Sequence, residues 1–75
     1  MTLRKRSVLL AGHATSLTLE PAFWDGLEAL ARRRGLSLNA MVAAIDRERS
    51  ESPAPGNLAS AVRVAVLAAT RRGEI

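Results

Sequence analysis

The sequence contains no cysteine or tyrosine and only one histidine, one tryptophan and one phenylalanine in 75 residues. The lack of cysteine excludes disulfides and thiolate metal sites. His13 alone is too little for a protein-only metal site, so we expect no metal and no cofactor. Small domains with too little core gain stability from disulfides, metals or partners. Because the first two routes are closed, the sequence predicts oligomerisation.

Catalytic motifs and long apolar runs are also missing. The sequence has no Gly-rich phosphate loop, and its one histidine has no carboxylate at a motif spacing, so we expect a non-enzyme. The apolar run Val8–Ala11 follows a basic triplet but is shorter than the roughly 7–15 residues of a signal-peptide core. No run approaches the roughly 18 residues of a membrane span. These observations predict a cytoplasmic protein with no membrane partner.

Basic side chains are present in excess and are unevenly distributed. Eleven Lys and Arg face seven Asp and Glu, which gives a net charge of +4. Residues 1–19 carry Arg4, Lys5 and Arg6 and no acid, and further clusters occur at 32–34 and 71–72. Uncompensated basic segments favour a polyanionic partner, either nucleic acid or an anionic membrane surface. Ordinary solubilising charge is the alternative.

Residues 15–19 alternate strictly between two faces. Leu17 and Leu19 point one way, and Ser16 and Thr18 point the other, which is typical of a β-strand with one buried face. The β-forming residues 7–11 are interrupted by Gly12, so their pairing is left open. A lone strand needs a partner for its edges. This need is a second indication of a dimer.

Three helices are predicted to follow the strand. Pro21 begins the first helix, and Gly35 ends it. Ser37 caps the second helix and Asn57 caps the third, which runs to about residue 72. Its apolar positions cover more than one stripe and predict burial on two sides. The expected organisation is a basic N-terminal arm over 1–6, a core over 7–49, a linker over 50–56 and a C-terminal helix over 57–72.

The order of strand, helix, Gly-x-Ser and helix resembles the ribbon-helix-helix (Arc/Met repressor-like) superfamily. The segments TSLTLE, PAFWDGLEALARRRG and LSLNAMVAAI carry this resemblance. With AGH, LEPAFW and GNLASA in order, the sequence looks like a bacterial subfamily known only as ribbon-helix-helix domain proteins. The resemblance implies a mainly α fold with one short strand per chain. The strands would pair antiparallel across a homodimer, and a third helix would be added at the C-terminal end.

The resemblance further implies that a two-stranded ribbon (strand about 14–19) enters the DNA major groove. The base-facing residues would be Ala14, Ser16 and Thr18, which offer only a methyl group and two hydroxyls, so direct readout of bases should be weak. The implied phosphate contacts are Arg4, Lys5, Arg6, Ser37, Leu38 and Asn39. The implied dimer core is Leu17, Leu19, Phe23, Leu27, Leu30, Met41, Val42 and Ile45.

The leading hypothesis is a homodimeric DNA-binding transcriptional regulator whose partners are itself and double-stranded DNA. Its third helix, Leu58–Arg72, could join dimers into a tetramer. One alternative is the antitoxin of a toxin–antitoxin pair. Antitoxins of this superfamily usually carry a polar C-terminal tail, whereas this sequence has an apolar C-terminal helix, which counts against this alternative. The other alternative is a protein–protein adaptor with the same fold and little DNA binding. The adaptor is favoured by the weakly polar base-facing residues and by the third helix.

Overall fold

The computed structural model describes residues 2–53 and 56–75. Two strands, β1 (Arg4–Leu10) and β2 (His13–Leu19), form an antiparallel sheet. Three helices follow: α1 (Pro21–Arg33), α2 (Leu38–Glu51) and α3 (Leu58–Arg71). This architecture confirms the mainly helical fold with a two-stranded ribbon and a third helix at the C-terminal side.

The two strands belong to the same chain and form a hairpin. Their register runs from Arg4 opposite Leu19 to Leu10 opposite His13. The turn residues Ala11 and Gly12 have φ values of 50° and 82°, and two positive φ angles define the turn type whose twist matches paired strands. The expectation of one strand per chain is therefore wrong. Gly12 lies in the turn that joins two paired strands, and residues 4–10 before it form the first of them. Pairing of strands across a homodimer stays a prediction.

Two of the expected segment boundaries differ from the structure. Arg4, Lys5 and Arg6, which we assigned to an N-terminal arm, are the first three residues of β1. The linker expected over 50–56 begins later, because α2 continues to Glu51. Residues 54 and 55 of that linker lie outside the described residues.

The helices pack against one face of the hairpin and close a core within a single chain. Val8, Leu17 and Leu19 are at most 2% exposed. All residues of the expected dimer core are buried in this one chain except Phe23, which is partly buried. The lone strand and the exposed core that suggested an obligate dimer are therefore absent from the described part of the chain. A role for these residues at a dimer interface stays a prediction.

The third helix lies on α1 and α2 with one face. Val62, Val66 and Ala69 are buried. Arg63 reaches back to Glu20 at the β2–α1 junction with a 2.8 Å ion pair, and its hydrogen bond lowers the pKa of the Glu20 carboxyl. The opposite face of α3 remains exposed in one chain, with Val64 and Leu67 at 65% and 55%, so burial of that face by another chain stays a prediction.

Gly26 determines how closely α1 and α3 approach each other. A Cβ atom at this position would lie 2.5 Å from Cγ1 of Val66. We expect Gly26→Ala to lower stability by about 1–2 kcal/mol, because overpacking outweighs the gain of roughly 1 kcal/mol in helix propensity. Urea unfolding of Gly26→Ala, Val66→Ala and the double variant tests this. If the contact is real, the double variant is more stable than the sum of the two single effects predicts; additive effects would contradict it.

The C-terminal tail is held by Glu74, which accepts hydrogen bonds from Arg34 at 2.8 Å and from Arg72 at 2.6 Å. These bonds lower the pKa of the Glu74 carboxyl from 4.5 to about 2. Because the folded pKa is depressed, the contribution to stability is full above pH 4.5 and disappears as the pH falls to about 2. We expect Glu74→Gln to lower the urea midpoint at pH 7 and to match the wild type near pH 2.

The matched control for that experiment is Asp25→Asn. Asp25 is an exposed carboxylate that forms no ion pair among the described residues. Its substitution should leave the urea midpoint nearly unchanged at both pH values. A Glu74→Gln variant that behaves like this control would show that the tail contact does not stabilise the fold.

Candidate nucleic-acid interface

The outer face of the hairpin is built by alternate residues of both strands. Because side chains alternate between the faces of a strand, the buried Val8, Leu17 and Leu19 fix the inner face. The residues on the outer face are Lys5, Ser7, Leu9, Ala14, Ser16 and Thr18. All are exposed except Thr18, which is partly buried. We call these six residues the outer sheet face.

The outer sheet face contains the three expected base-facing residues of β2 together with three that the sequence analysis missed. Lys5, Ser7 and Leu9 belong to β1, whose pairing was left open. Their signal in the sequence was the alternation around Val8 followed by the turn dipeptide Ala11-Gly12. Leu9 is 52% exposed, which is unusual for a leucine in a strand that packs on helices.

The strand separates the three basic residues that we expected to act together. Lys5 lies on the outer sheet face, whereas Arg4 and Arg6 lie opposite Leu19 and Leu17. Arg6 binds Glu28 at 2.8 Å, and its guanidinium lies 4.6 Å from the centre of the Trp24 ring. The indole N–H of Trp24 donates to the carbonyl of Arg4 at 2.9 Å. Arg6 is thus engaged within the chain, while Lys5 presents its ammonium group on the outer face.

The N-terminus of α2 lies against the outer edge of β1. The side-chain oxygen of Asn39 accepts a hydrogen bond from the backbone N–H of Leu9 at 3.1 Å. Residues 10 and 13 flank a two-residue turn and form a pair joined by backbone hydrogen bonds. Such pairs alternate along an antiparallel ladder with pairs that are not hydrogen-bonded, so the N–H of Leu9 points away from β2. Asn39 therefore provides the acceptor for a backbone N–H at the edge of the sheet, and this bond holds the start of α2 beside the hairpin.

The first turn of α2 keeps two backbone donors that have no acceptor within residues 2–53 and 56–75. The Ser37 hydroxyl accepts from the N–H of Ala40 at 3.1 Å, which confirms the expected cap. The Ser37 carbonyl accepts from the N–H of Met41 at 2.9 Å. Among the described residues, the N–H groups of Leu38 and Asn39 have no such partner. They are the groups that the sequence analysis assigned to a phosphate, and they lie at the positive end of the helix dipole.

The second strand keeps one edge without a neighbouring strand. In the described sheet β2 pairs with β1 alone. Because residues 13, 15 and 17 form the bonded pairs with β1, the backbone groups of Ala14, Ser16 and Thr18 point to the other edge. Such an edge is able to pair with another strand.

Other functional groups are sparse across residues 2–53 and 56–75. No three His, Cys, Asp or Glu side chains lie together there as a metal site would require. His13 is exposed at the first position of β2. In the same part of the chain, no helix has both the length and the apolar character needed to cross a bilayer.

Comparisons with known proteins identify the fold. A family model described as "Ribbon-helix-helix domain" matches residues 3–70. Among solved structures, the chain is similar to that of an uncharacterized protein from Bordetella pertussis Tohama I, with a TM-score of 0.73 and 32% sequence identity. That match covers 99% of this chain and 62% of the other. No curated protein matches the sequence.

The contact between Asn39 and Leu9 can be tested by amide hydrogen exchange measured by NMR. We expect Asn39→Ala to accelerate exchange at Leu9, because the N–H loses its acceptor and becomes open to water. Asn39→Asp keeps an oxygen in place and should preserve the protection. The amide of Leu19, which is paired inside the hairpin, serves as the internal control. Equal protection of Leu9 in all three proteins would contradict the contact.

Proposed function

The chain belongs to the ribbon-helix-helix domain family, and from this premise we propose that it is a DNA-binding transcriptional regulator that acts as a homodimer. Members of this family are generally DNA-binding regulators or antitoxins, and they are typically dimeric. The observation that carries the proposal is the outer sheet face. It presents an ammonium group and small polar groups, and residues 1–19 contain no carboxylate side chain that would repel a phosphate backbone.

The hairpin of one chain has the dimensions of a ribbon that fits the DNA major groove. That groove is about 12 Å wide and admits a two-stranded β-ribbon. Neighbouring strands lie about 4.8 Å apart, so two hairpins joined at β2 would span roughly 14 Å between their outer strands. A four-stranded sheet is too wide to enter the groove. We therefore propose that the inserted ribbon is β1–β2 of a single chain, which replaces the ribbon shared by two chains that the resemblance implied, and that a homodimer carries two such ribbons.

The outer sheet face supplies a stronger base contact than the second strand alone would. Lys5 can donate to the O6 and N7 atoms of guanine, a contact type worth about 1–3 kcal/mol of discrimination. Leu9 and Ala14 offer apolar surface to a thymine methyl group. Ser16 and Thr18 add single hydroxyls. In this proposal Lys5 therefore moves from the phosphate contacts expected from the sequence to a base contact.

Phosphate contacts in the proposal come from the start of α2 and from the remaining basic residues of β1. The N–H groups of Leu38 and Asn39 lie beside the hairpin edge, where the backbone of an enclosing groove would pass. Helix N-termini bind anions through such groups. Arg4 and Arg6 lie on the other side of the strand, and Arg6 would have to leave its contact with Glu28 to reach a phosphate.

A protein–protein adaptor remains the second candidate, because one observation favours it specifically. Val64 and Leu67 are 65% and 55% exposed on α3, and exposed apolar patches typically mark interaction sites. This candidate predicts an intact fold with little affinity for DNA.

Binding to total genomic fragments, measured by gel shift at low and moderate salt, separates the two candidates. We expect retardation that weakens steeply with salt, with a log–log slope of about −0.9 per phosphate contacted. Lys5→Ala should reduce affinity about tenfold, equivalent to about 1.4 kcal/mol. Asn39→Asp should also reduce it, because it keeps the acceptor for Leu9 but adds a negative charge beside the bound phosphate.

Arg47→Ala is the matched control, because it removes an exposed positive charge from α2 away from the outer sheet face. Its affinity should remain close to that of the wild type. Equal loss in Lys5→Ala and Arg47→Ala would indicate nonspecific attraction and contradict the proposed interface. No retardation at low salt would favour the adaptor.

A further inference from the structure

A cleft between β1 and α1 brings basic and acidic side chains together at the end of the hairpin that lies opposite the turn. Arg4 and Arg6 line the cleft from the strand, and Trp24, Asp25 and Glu28 line it from the helix. Arg6 donates a hydrogen bond to Glu28 at 2.8 Å, and 43% and 41% of these two side chains are exposed. Asp25 has no ion pair in the described part of the chain. Of the two carboxylates in the cleft, Glu28 is therefore the one that holds Arg6.

Trp24 provides a fixed surface for the guanidinium of Arg6. The guanidinium carbon lies 4.6 Å from the centre of the ring, and the tryptophan is only 3% exposed. Its indole N–H donates to the carbonyl of Arg4 at 2.9 Å, which keeps the ring in its orientation. The attraction between a cation and an aromatic ring does not require Glu28. Arg6 can therefore change its anionic partner while its side chain remains packed on the ring.

The depth of the DNA major groove places Arg6 near the phosphates of the proposed complex. The groove is about 8.5 Å deep, so its phosphate rims stand well above the base edges that the outer sheet face would contact. Side chains on the inner face of the inserted hairpin lie closer to the height of these rims. Arg6 is on that inner face, opposite Leu17. Because 43% of its side chain is exposed, it is open to an approaching phosphate.

Glu28 competes with such a phosphate for the guanidinium of Arg6. Among the three basic residues of β1, Arg6 is the only one with a carboxylate partner in the described part of the chain. An exposed ion pair of this kind is weak, and arginine binds phosphate through two parallel hydrogen bonds. A phosphate is therefore able to displace the carboxylate. Since phosphate contacts carry no sequence information, the cost of this displacement is the same for every DNA sequence.

We infer that Glu28 limits the affinity of the chain for DNA by holding Arg6 in the free protein, and that a DNA phosphate replaces the Glu28 carboxylate in the complex. Glu28 is then a positioning residue, because it contacts no DNA and acts only through Arg6. The inference rests on the proposed function, which supplies the competing anion. Its consequence is weaker binding to random sequence, where phosphate contacts supply nearly all of the affinity.

A double-mutant cycle on DNA affinity, measured by gel shift with short duplexes at several salt concentrations, tests the inference. We expect Glu28→Gln to raise affinity about fivefold, the most that an exposed ion pair supports. Arg6→Met keeps an unbranched side chain on Trp24 but removes the charge. It should lower affinity and flatten the log–log salt slope by about 0.9 per chain. In the Arg6→Met background, Glu28→Gln should have almost no effect, and a gain of equal size in both backgrounds would overturn the inference.

Asp25→Asn is the matched control, because it removes the same charge from the same cleft without breaking an ion pair in the described part of the chain. It should raise affinity less than Glu28→Gln, and by the same factor with and without Arg6. Equal gains from the two substitutions would show a general charge effect and refute the role of Glu28. Unchanged circular dichroism spectra are expected for all variants, because the substituted side chains are exposed or partly exposed.

The inference and the proposed function fail in different ways. If the wild type binds DNA and Glu28→Gln leaves its affinity unchanged, the inference is wrong and the proposed function stands. If neither the wild type nor Glu28→Gln retards DNA at low salt, both are wrong.

Discussion

The two-residue turn at Ala11 and Gly12 is the constraint on which the rest of the structure depends. With both φ angles positive, the chain reverses within two residues, and β1 pairs with β2 along seven residues. Without this reversal β2 would lack a neighbouring strand, and Val8 would not reach the core. The basic segment would then be an arm. The turn converts it into a strand, and one of its three cations comes to the outer face.

The helices are attached to the hairpin by a small number of side chains. Asn39 binds the edge of β1, Trp24 donates to the carbonyl of Arg4, and Arg63 pairs with Glu20. These contacts are partly or wholly exposed to water, where an ion pair is worth at most about 1 kcal/mol. Their role is mainly geometric, because they orient each helix. The buried apolar cluster supplies most of the stability, and it is complete within one chain.

A core that closes within one chain changes the part that a second chain plays. If the partner is not needed to bury Leu17 or Leu19, association is free to use another surface. A core closed within one chain differs from a ribbon shared between two chains, in which the strands themselves would form the interface.

The sequence by itself determined the features that depend on neighbouring residues. Alternation fixed the inner face of β2, Pro21 and Gly35 bounded α1, and the caps at Ser37 and Asn57 began the next two helices. The order of these elements carried the resemblance that predicted the fold, and the alternation placed Ala14, Ser16 and Thr18 on the outward side of β2. Each of these features follows from backbone preference or from a hydrogen bond within four residues.

Only the tertiary structure decided the features that join residues distant in the chain. The pairing of β1 with β2 placed Lys5 outward and turned Arg6 toward Glu28 and Trp24. The docking of α3 left Val64 and Leu67 exposed and brought Val66 against Gly26. A pattern of apolar positions shows that a helix has a face to bury, but it does not show which element covers that face. That choice depends on the packing of all elements together, because each buried surface is shared by two of them.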